Sequence, residues 1–251
     1  MSRYFLELSY RGTLFNGWQS QTDGGTVQQE VERALSALLR ADTPVVGAGR
    51  TDSGVHASFY VLHFDTDNDA KVTGPDFVYH LNCVLCHDVS ALRVYRVSDK
   101  AHARFDAISR QYKYYICTAK NPFMRGITTY YRGPIDIDMM NRAAALLLQT
   151  DDFTSFAKLG SDNKTNLCRV TEARWRRSGD IVLFTITADR FLRNMVRSIV
   201  GTLLDVGRGK LTPDDFARII ERHDRCAAGT SAPAEGLYLS DIRYDNSQVM
   251  P

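Results

Sequence analysis

Asp52 lies in the run Gly47-Ala48-Gly49-Arg50-Thr51-Asp52-Ser53-Gly54-Val55-His56-Ala57, two residues after an arginine and between two extended apolar segments. Flanking glycines let the backbone turn tightly and approach a ligand closely, and Arg50 with nearby amides would favour the ionised carboxylate. A carboxylate held ionised on such a turn is a candidate nucleophile. Thr-Asp-Ser-Gly also suits an ordinary hairpin turn, so spacing alone leaves both readings open. His56, at the start of a strand, reads as structural rather than as a general base.

The other chemistry-bearing residues are less localised. Arg190, Arg193 and Arg197 are spaced three and four apart, which would place them on one helix face opposite buried Leu192, Met195, Val196, Ile199 and Leu203. With no acid among them, they form either a solvated basic face or a surface for a phosphate or carboxylate. Arg104, Arg110, Lys158, Arg208 and Lys210 are further cations able to track a phosphate backbone. Tyr112-x-Tyr114 reads first as alternating aromatics on one strand face.

Composition narrows the class without fixing the function. The chain has 251 residues, is 44% apolar and 24% charged, and has a formal net charge of only +2, so it can bury a substantial core but its overall charge names no partner. Five cysteines at 83, 86, 117, 168 and 226 do not resemble a disulfide framework, which points to a reducing compartment. Cys83-x-x-Cys86 has zinc-like spacing but lacks a second Cys/His pair, and is read as core packing. The first residues resemble no secretory signal, and no apolar run reaches membrane-spanning length, so a cytoplasmic protein with no membrane partner is expected.

The elements that must position these residues follow from periodicity. Strands are predicted over residues 4–10, 44–48, 58–64 and 89–97, with helices starting at Thr26 through a capping box with Gln29 and over residues 75–84. That order, βαββαβ, is ferredoxin-like. A second set follows: a strand over 111–118, a helix over 138–148, a hairpin of 170–177 and 181–188, a helix over 191–206, another starting at Thr212-Pro213, and a last strand over 238–244. The expected architecture is α+β. Two ferredoxin-like, RRM-like halves, residues 1–103 and 104–251, would form a mainly antiparallel central sheet with helices on one face and a central cleft.

Gly-Arg-Thr-Asp-x-Gly-Val-His-Ala resembles the signature of the tRNA pseudouridine synthase A family. Further similar segments are Phe15-Asn16-Gly17-Trp18-Gln19, Thr26-Val27-Gln28, Arg110-Gln111-Tyr112-Lys113-Tyr114, Asp152-Phe153-Thr154-Ser155-Phe156, Asn194-Met195-Val196-Arg197 and Glu235-Gly236-Leu237-Tyr238-Leu239. They run in the family's order over almost the whole chain. The resemblance implies a duplicated RRM-like core and isomerisation of uridine to pseudouridine at positions 38, 39 and 40 of the tRNA anticodon stem-loop, with no metal and no cofactor. It implies that Asp52 is the essential aspartate, that Arg197 pairs with it, that Tyr112 lies against the uracil, that Leu237 lines the uracil pocket, and that Arg50 contacts RNA or the flipped nucleotide. It also implies a homodimer that binds one tRNA across both subunits. Arg190, Arg193, Arg104, Arg110 and Lys158 are then the candidate RNA contacts.

The chain departs from the family at two places. Cys86 stands where the family usually has the proline of Leu-Pro, so the local turn is expected to differ. The loop over 158–166 also differs, so family contacts to the tRNA elbow are not carried over. Two other classes fit parts of the pattern: an RNA-binding module that needs no Asp52, and a hydrolase with an aspartate nucleophile, which would call for a second carboxylate such as Asp152 or Glu235.

Overall fold

The computed structural model describes residues 1–161 and 163–249. Asp162, in the divergent loop, lies outside them. The chain is α+β and divides into two compact units, Met1–Ile108 with Leu239–Pro251, and Ser109–Tyr238.

In the first unit, β1 (Ser2–Tyr10) lies between β4 (Val89–Arg96) and β3 (His56–Thr66), antiparallel to both, and β2 (Val45–Gly47) pairs antiparallel with β3. Side chains alternate across a strand, so Tyr4, Leu6, Leu8 and Tyr10 share one face, and all are almost fully buried. The helix α1 (Val27–Leu39) presents Val27, Val31, Ala34, Leu35 and Leu39 as a buried stripe. Its start is set by the predicted capping box: Thr26 accepts from the Gln29 backbone while the Gln29 side chain accepts from the Thr26 backbone. Such a cap stabilises a helix by about 1 kcal/mol. A short helix α2 (Asp69–Val72) precedes α3 (Phe77–Val84), and residues Leu239 to Tyr244 of β9 (Leu237–Tyr244) lie beside β3.

In the second unit, β5 (Ala107–Cys117) pairs antiparallel with β8 (Ile181–Ala188), which pairs antiparallel with β7 (Val170–Ser178). The two-residue strand β6 (Thr129–Tyr130) runs parallel to β5. Ser178 pairs with Ile181, leaving Gly179-Asp180 as the hairpin loop, and Gly179 takes the left-handed φ of 56° that such a turn favours. Helices α4 (Ile137–Ala145), α5 (Met195–Gly207) and α6 (Pro213–Glu221) complete the unit. Its core includes Trp175 stacked on Phe184 at 4.7 Å and Phe156 stacked on Phe216 at 5.7 Å.

Each unit closes an outer strand with an asparagine from the helix before it. Asn82 of α3 accepts from the Ala91 N–H at 2.7 Å and donates to the Ala91 carbonyl at 2.9 Å. Asn141 of α4 does the same to Trp175, at 2.8 Å and 3.1 Å. A side-chain amide mimics a peptide unit, so both strands gain a partner where the backbone would otherwise lack one.

Two expectations need correction. The predicted helix over 191–206 begins only at Met195, because Asn194 is left-handed at φ 64° and residues 191–194 form the approach to it. Arg190, Arg193 and Arg197 therefore do not form a stripe on one helix; only Arg197 is helical. Cys83 and Cys86 are exposed at the end of α3 and so are not core residues.

The segment after β4 brings His102 against His63, with rings 4.8 Å apart, and the Ala103 N–H donates to His63 Nδ1 at 3.1 Å. Burial, with Arg3 and His102 adding to it and Asp65 and Asp106 opposing, lowers the His63 pKa from 6.5 to about 4. The folded value lies below the unfolded one, so between them the unfolded chain takes up a proton that the fold refuses. Stability from this group is therefore lost as pH falls from about 6.5 toward about 4. We expect the melting temperature, followed by circular dichroism, to fall between pH 7 and pH 5, and to fall less in His63→Gln; equal drops in both proteins would contradict this.

Candidate active site

The Asp52 turn in the first unit is held by backbone contacts with the segment that follows β1. The Trp18 N–H donates to the Thr51 carbonyl at 3.2 Å, the Gly54 N–H to the Phe15 carbonyl at 3.3 Å, and Ser53 Oγ to the same carbonyl at 3.2 Å. Tyr10 Oη and Thr51 Oγ1 share a buried hydrogen bond of 2.8 Å. Within the turn, the Val55 N–H closes on the Asp52 carbonyl at 3.1 Å, and Gly54 is left-handed at φ 78°. Asp52 is half-buried, whereas Arg50 and Ser53 are exposed.

Two glycines outside the signature make this approach possible. A Cβ on Gly12 would lie 1.9 Å from the Val55 carbonyl oxygen, and one on Gly17, whose φ is +85°, 2.6 Å from that of Thr51. Neither position can take a side chain without moving the turn. His56 is 1% exposed, and its Nδ1 accepts from the Gly12 N–H at 3.0 Å, which fixes the hydrogen on Nε2. Its reading as a structural histidine stands. Gly17 belongs to a segment recognised by its similarity, but its steric reason is tertiary and leaves no mark in chain order.

Arg50 Nε donates to Gln19 Oε1 at 3.2 Å. Both residues line a cavity of about 210 Å³, together with Trp18, Gln28, Gly47, Gly49 and Arg104. The Arg104 guanidinium also lies over the Phe105 ring, 5.7 Å from its centre.

Tyr112, Arg197 and Leu237 belong to the second unit. Tyr112, on β5, is half-buried and meets Phe191 edge to face at 5.0 Å. Tyr114, two residues on and on the same strand face, is fully buried; its hydroxyl bonds Thr129 Oγ1 at 2.6 Å and the Pro233 carbonyl at 2.9 Å. Burial holds the Tyr114 phenol protonated far above the ordinary tyrosine range, with Thr129 opposing. Tyr114 is thus a core residue, and Tyr112 is the aromatic with an accessible ring. On α5, Arg197 Nε donates to the Ala232 carbonyl at 2.7 Å, while the Arg197 carbonyl accepts from the Ala232 N–H at 2.9 Å. Leu237 is 5% exposed, at the start of β9.

Of the other candidate cations of this unit, Arg208 and Lys210 pair with Asp205 Oδ1 at 3.5 and 3.7 Å, and four more fall into two pairs. Arg110 Nη1 donates to the Asp189 carbonyl at 2.9 Å, and the Arg190 N–H donates to Asp189 Oδ1 at 2.6 Å. The Lys158 N–H donates to the Arg193 carbonyl at 3.2 Å, which joins the backbones of two exposed basic residues. Among the described residues no three His, Cys, Asp or Glu side chains group as metal ligands would, and no helix is long and apolar enough to cross a membrane.

A family model described as tRNA pseudouridine synthase matches residues 143–245. A protein of Parabacteroides distasonis named tRNA pseudouridine synthase A is 51% identical over 247 residues, 97% of this chain and 96% of that protein. Proteins of the same name from Bacteroides fragilis and Bacillus subtilis are 51% and 41% identical, over 97% and 95% of this chain and 97% and 98% of their own lengths.

Proposed function

The chain belongs to the tRNA pseudouridine synthase A family, and from that membership we propose that it converts uridine to pseudouridine at positions 38, 39 and 40 of the tRNA anticodon stem-loop, using the Asp52 carboxylate. The enzyme is an isomerase. The C1′–N1 bond breaks, the uracil turns, a C1′–C5 bond forms, the hydrogen on C5 leaves as a proton and the freed N1 takes one up from solvent; nothing is oxidised and the composition of the nucleotide is unchanged. Such a reaction needs an anion near the ribose and base, a wall that retains the freed uracil, and a route for the C5 proton.

The observation that carries this reading is the Asp52 turn, which glycine contacts and backbone hydrogen bonds hold in place. A half-buried carboxylate on a backbone held in this way is positioned for attack on C6 or C1′, or for assisting a glycal route. Tyr112 retains the uracil and serves the C5 deprotonation, Leu237 adds apolar wall, and Arg197 serves the same reaction. Arg110, Arg190, Arg193 and Lys158, with Arg50 and Arg104, supply the cations that a polyanion needs. The target base must leave its stack before Asp52 can reach it. The strand order β4-β1-β3-β2 in the first unit, and the helix asparagine that closes an outer strand in each, support two related ferredoxin-like halves divided near residue 104. A homodimer in the cytoplasm completes the proposal.

The test is to incubate the full chain with unmodified tRNA and map pseudouridine by chemical modification and primer extension. Product at 38, 39 and 40 is the expected result. Product confined to another region of the tRNA would refute the anticodon assignment, and free uracil would identify a hydrolase.

A further inference from the structure

Gln19 and Gln28 belong to two family-like segments to which the reaction gives no role, and their side chains end at Arg50. Gln28 Oε1 accepts from the Ser20 backbone N–H at 3.0 Å, and a backbone donor leaves no ambiguity about which end of the amide faces it. Gln28 Nε2 accordingly donates to Glu32 Oε1 at 2.9 Å and to the Val45 carbonyl at 3.2 Å. Gln19 Nε2 then donates to Gln28 Oε1 at 3.0 Å, which turns Gln19 Oε1 outward as an acceptor for Arg50 Nε at 3.2 Å. The polarity of the whole series, from Arg50 through Gln19 and Gln28 to the Glu32 carboxylate on α1, follows from two backbone groups and one anion.

A guanidinium bound through Nε keeps its two terminal nitrogens free to form the parallel fork that grips a phosphate. Arg50 borders the 210 Å³ cavity with Arg104, and among the described residues no acidic side chain lines it. Two arginines lining a small cavity whose other described lining residues are uncharged fit an anion rather than a base or a cation. Trp18, Gly47 and Gly49 give it close walls, and Gly47 has no room for a side chain, since a Cβ there would lie 2.1 Å from Tyr60 Oη and 2.6 Å from the Trp18 ring.

We infer that this cavity binds a backbone phosphodiester of the substrate RNA through Arg50 and Arg104, and that Gln19 and Gln28 are positioning residues that aim Arg50 at it. The inference rests on the RNA-modifying function proposed above. Because Arg50 is two residues from Asp52, a phosphate held here would anchor the strand close to the carboxylate, so the relay contributes affinity where the substrate enters.

The experiment measures binding of an unmodified tRNA transcript to the full chain in an Asp52→Asn background, across a range of NaCl concentrations. Arg50→Gln is expected to weaken binding about tenfold and to flatten the salt dependence by about one phosphate contact. Gln19→Met, which spares every Gln28 bond to Ser20, Glu32 and Val45, is expected to weaken binding about threefold alone and not at all when Arg50 is already Gln. With Asp52 intact, Gln19→Met should raise KM for tRNA and leave kcat unchanged. Equal losses from Gln19→Met with and without Arg50, or an unchanged salt slope in Arg50→Gln, would overturn the inference even if the wild type makes pseudouridine. Tight, salt-sensitive binding without any pseudouridine would instead sink the proposed reaction.

Discussion

Asp52→Asn should fold, melt within a degree or two of the wild type, bind tRNA, and lose at least ~10⁴-fold in kcat, since removing a group that bonds to or charges the reacting centre typically costs that much or more. The substitution keeps the shape of the side chain while removing its charge and turning one acceptor oxygen into an NH2 donor. The turn carrying it is built from the Trp18 to Thr51 and Gly54 to Phe15 backbone bonds, the Tyr10 to Thr51 hydroxyl pair and the Val55 to Asp52 backbone closure, none of which uses the Asp52 carboxylate. Stability and activity should therefore separate cleanly. A variant that keeps more than about a tenth of wild-type turnover would show that the carboxylate is not essential, and would favour a turn whose aspartate is there only for its backbone conformation.

Gly201→Ala should cost about 3 kcal/mol and lower the melting temperature by roughly 6–12 °C, although helix propensity alone predicts a gain of about 1 kcal/mol. The sign is decided by one contact: a Cβ at Gly201 would lie 1.8 Å from the Thr230 carbonyl oxygen and 3.0 Å from its carbon. Neither side can yield cheaply. Gly201 is in the middle of α5, and the opposing chain is pinned by the Gly229 N–H to Thr202 Oγ1 at 3.0 Å, by Asn194 Nδ2 to Ser231 Oγ at 2.6 Å, and by the Ala232 N–H to the Arg197 carbonyl at 2.9 Å. Moving that strand of chain also shifts the carbonyl that Arg197 Nε holds, so turnover should fall further than stability requires. Gly207→Ala is the comparison. Its Cβ would meet chiefly the flexible Met140 side chain, 2.5 Å away, and should cost less. Equal melting temperatures for Gly201→Ala and wild type would refute the steric argument.

Local chemistry made much of the fold legible. Thr26 with Gln29 and Thr212 with Asp215 are capping boxes in the structure, and Pro213 stands at the first position of α6. The hairpin loop at Gly179 follows from turn preferences that act over a few residues. Where the reading failed, the cause was tertiary or conformational. Residues 191–194 carry helical periodicity, but Asn194 adopts a left-handed conformation that starts the helix four residues late and removes the supposed cationic stripe. Cys83 and Cys86, assigned to the core because no second Cys/His pair completes a zinc site, lie exposed at a helix end.

The candidate site divides in the same way. Asp52 and Arg50 stood out because glycines and a charged pair lie within eight residues of each other. Gly12 and Gly17 are equally necessary to the turn, but their neighbours in space are some forty residues away in the chain, as the Gly12 to His56 hydrogen bond illustrates. Gln19 and Gln28 could be noticed only as parts of similar segments, because the meaning of a side-chain amide lies in which group each end faces. Tyr112 and Tyr114 are indistinguishable by type, and burial separates them.

The most direct measurement is release of tritium from tRNA transcribed with [5-³H]uridine, followed with the purified chain in the presence of EDTA, alongside chromatography for free uracil. Tritium should appear in water at one equivalent per pseudouridine formed, with no free base and no release by Asp52→Asn. Free uracil without pseudouridine, turnover abolished by EDTA, or tritium release undiminished in Asp52→Asn would contradict the proposed reaction.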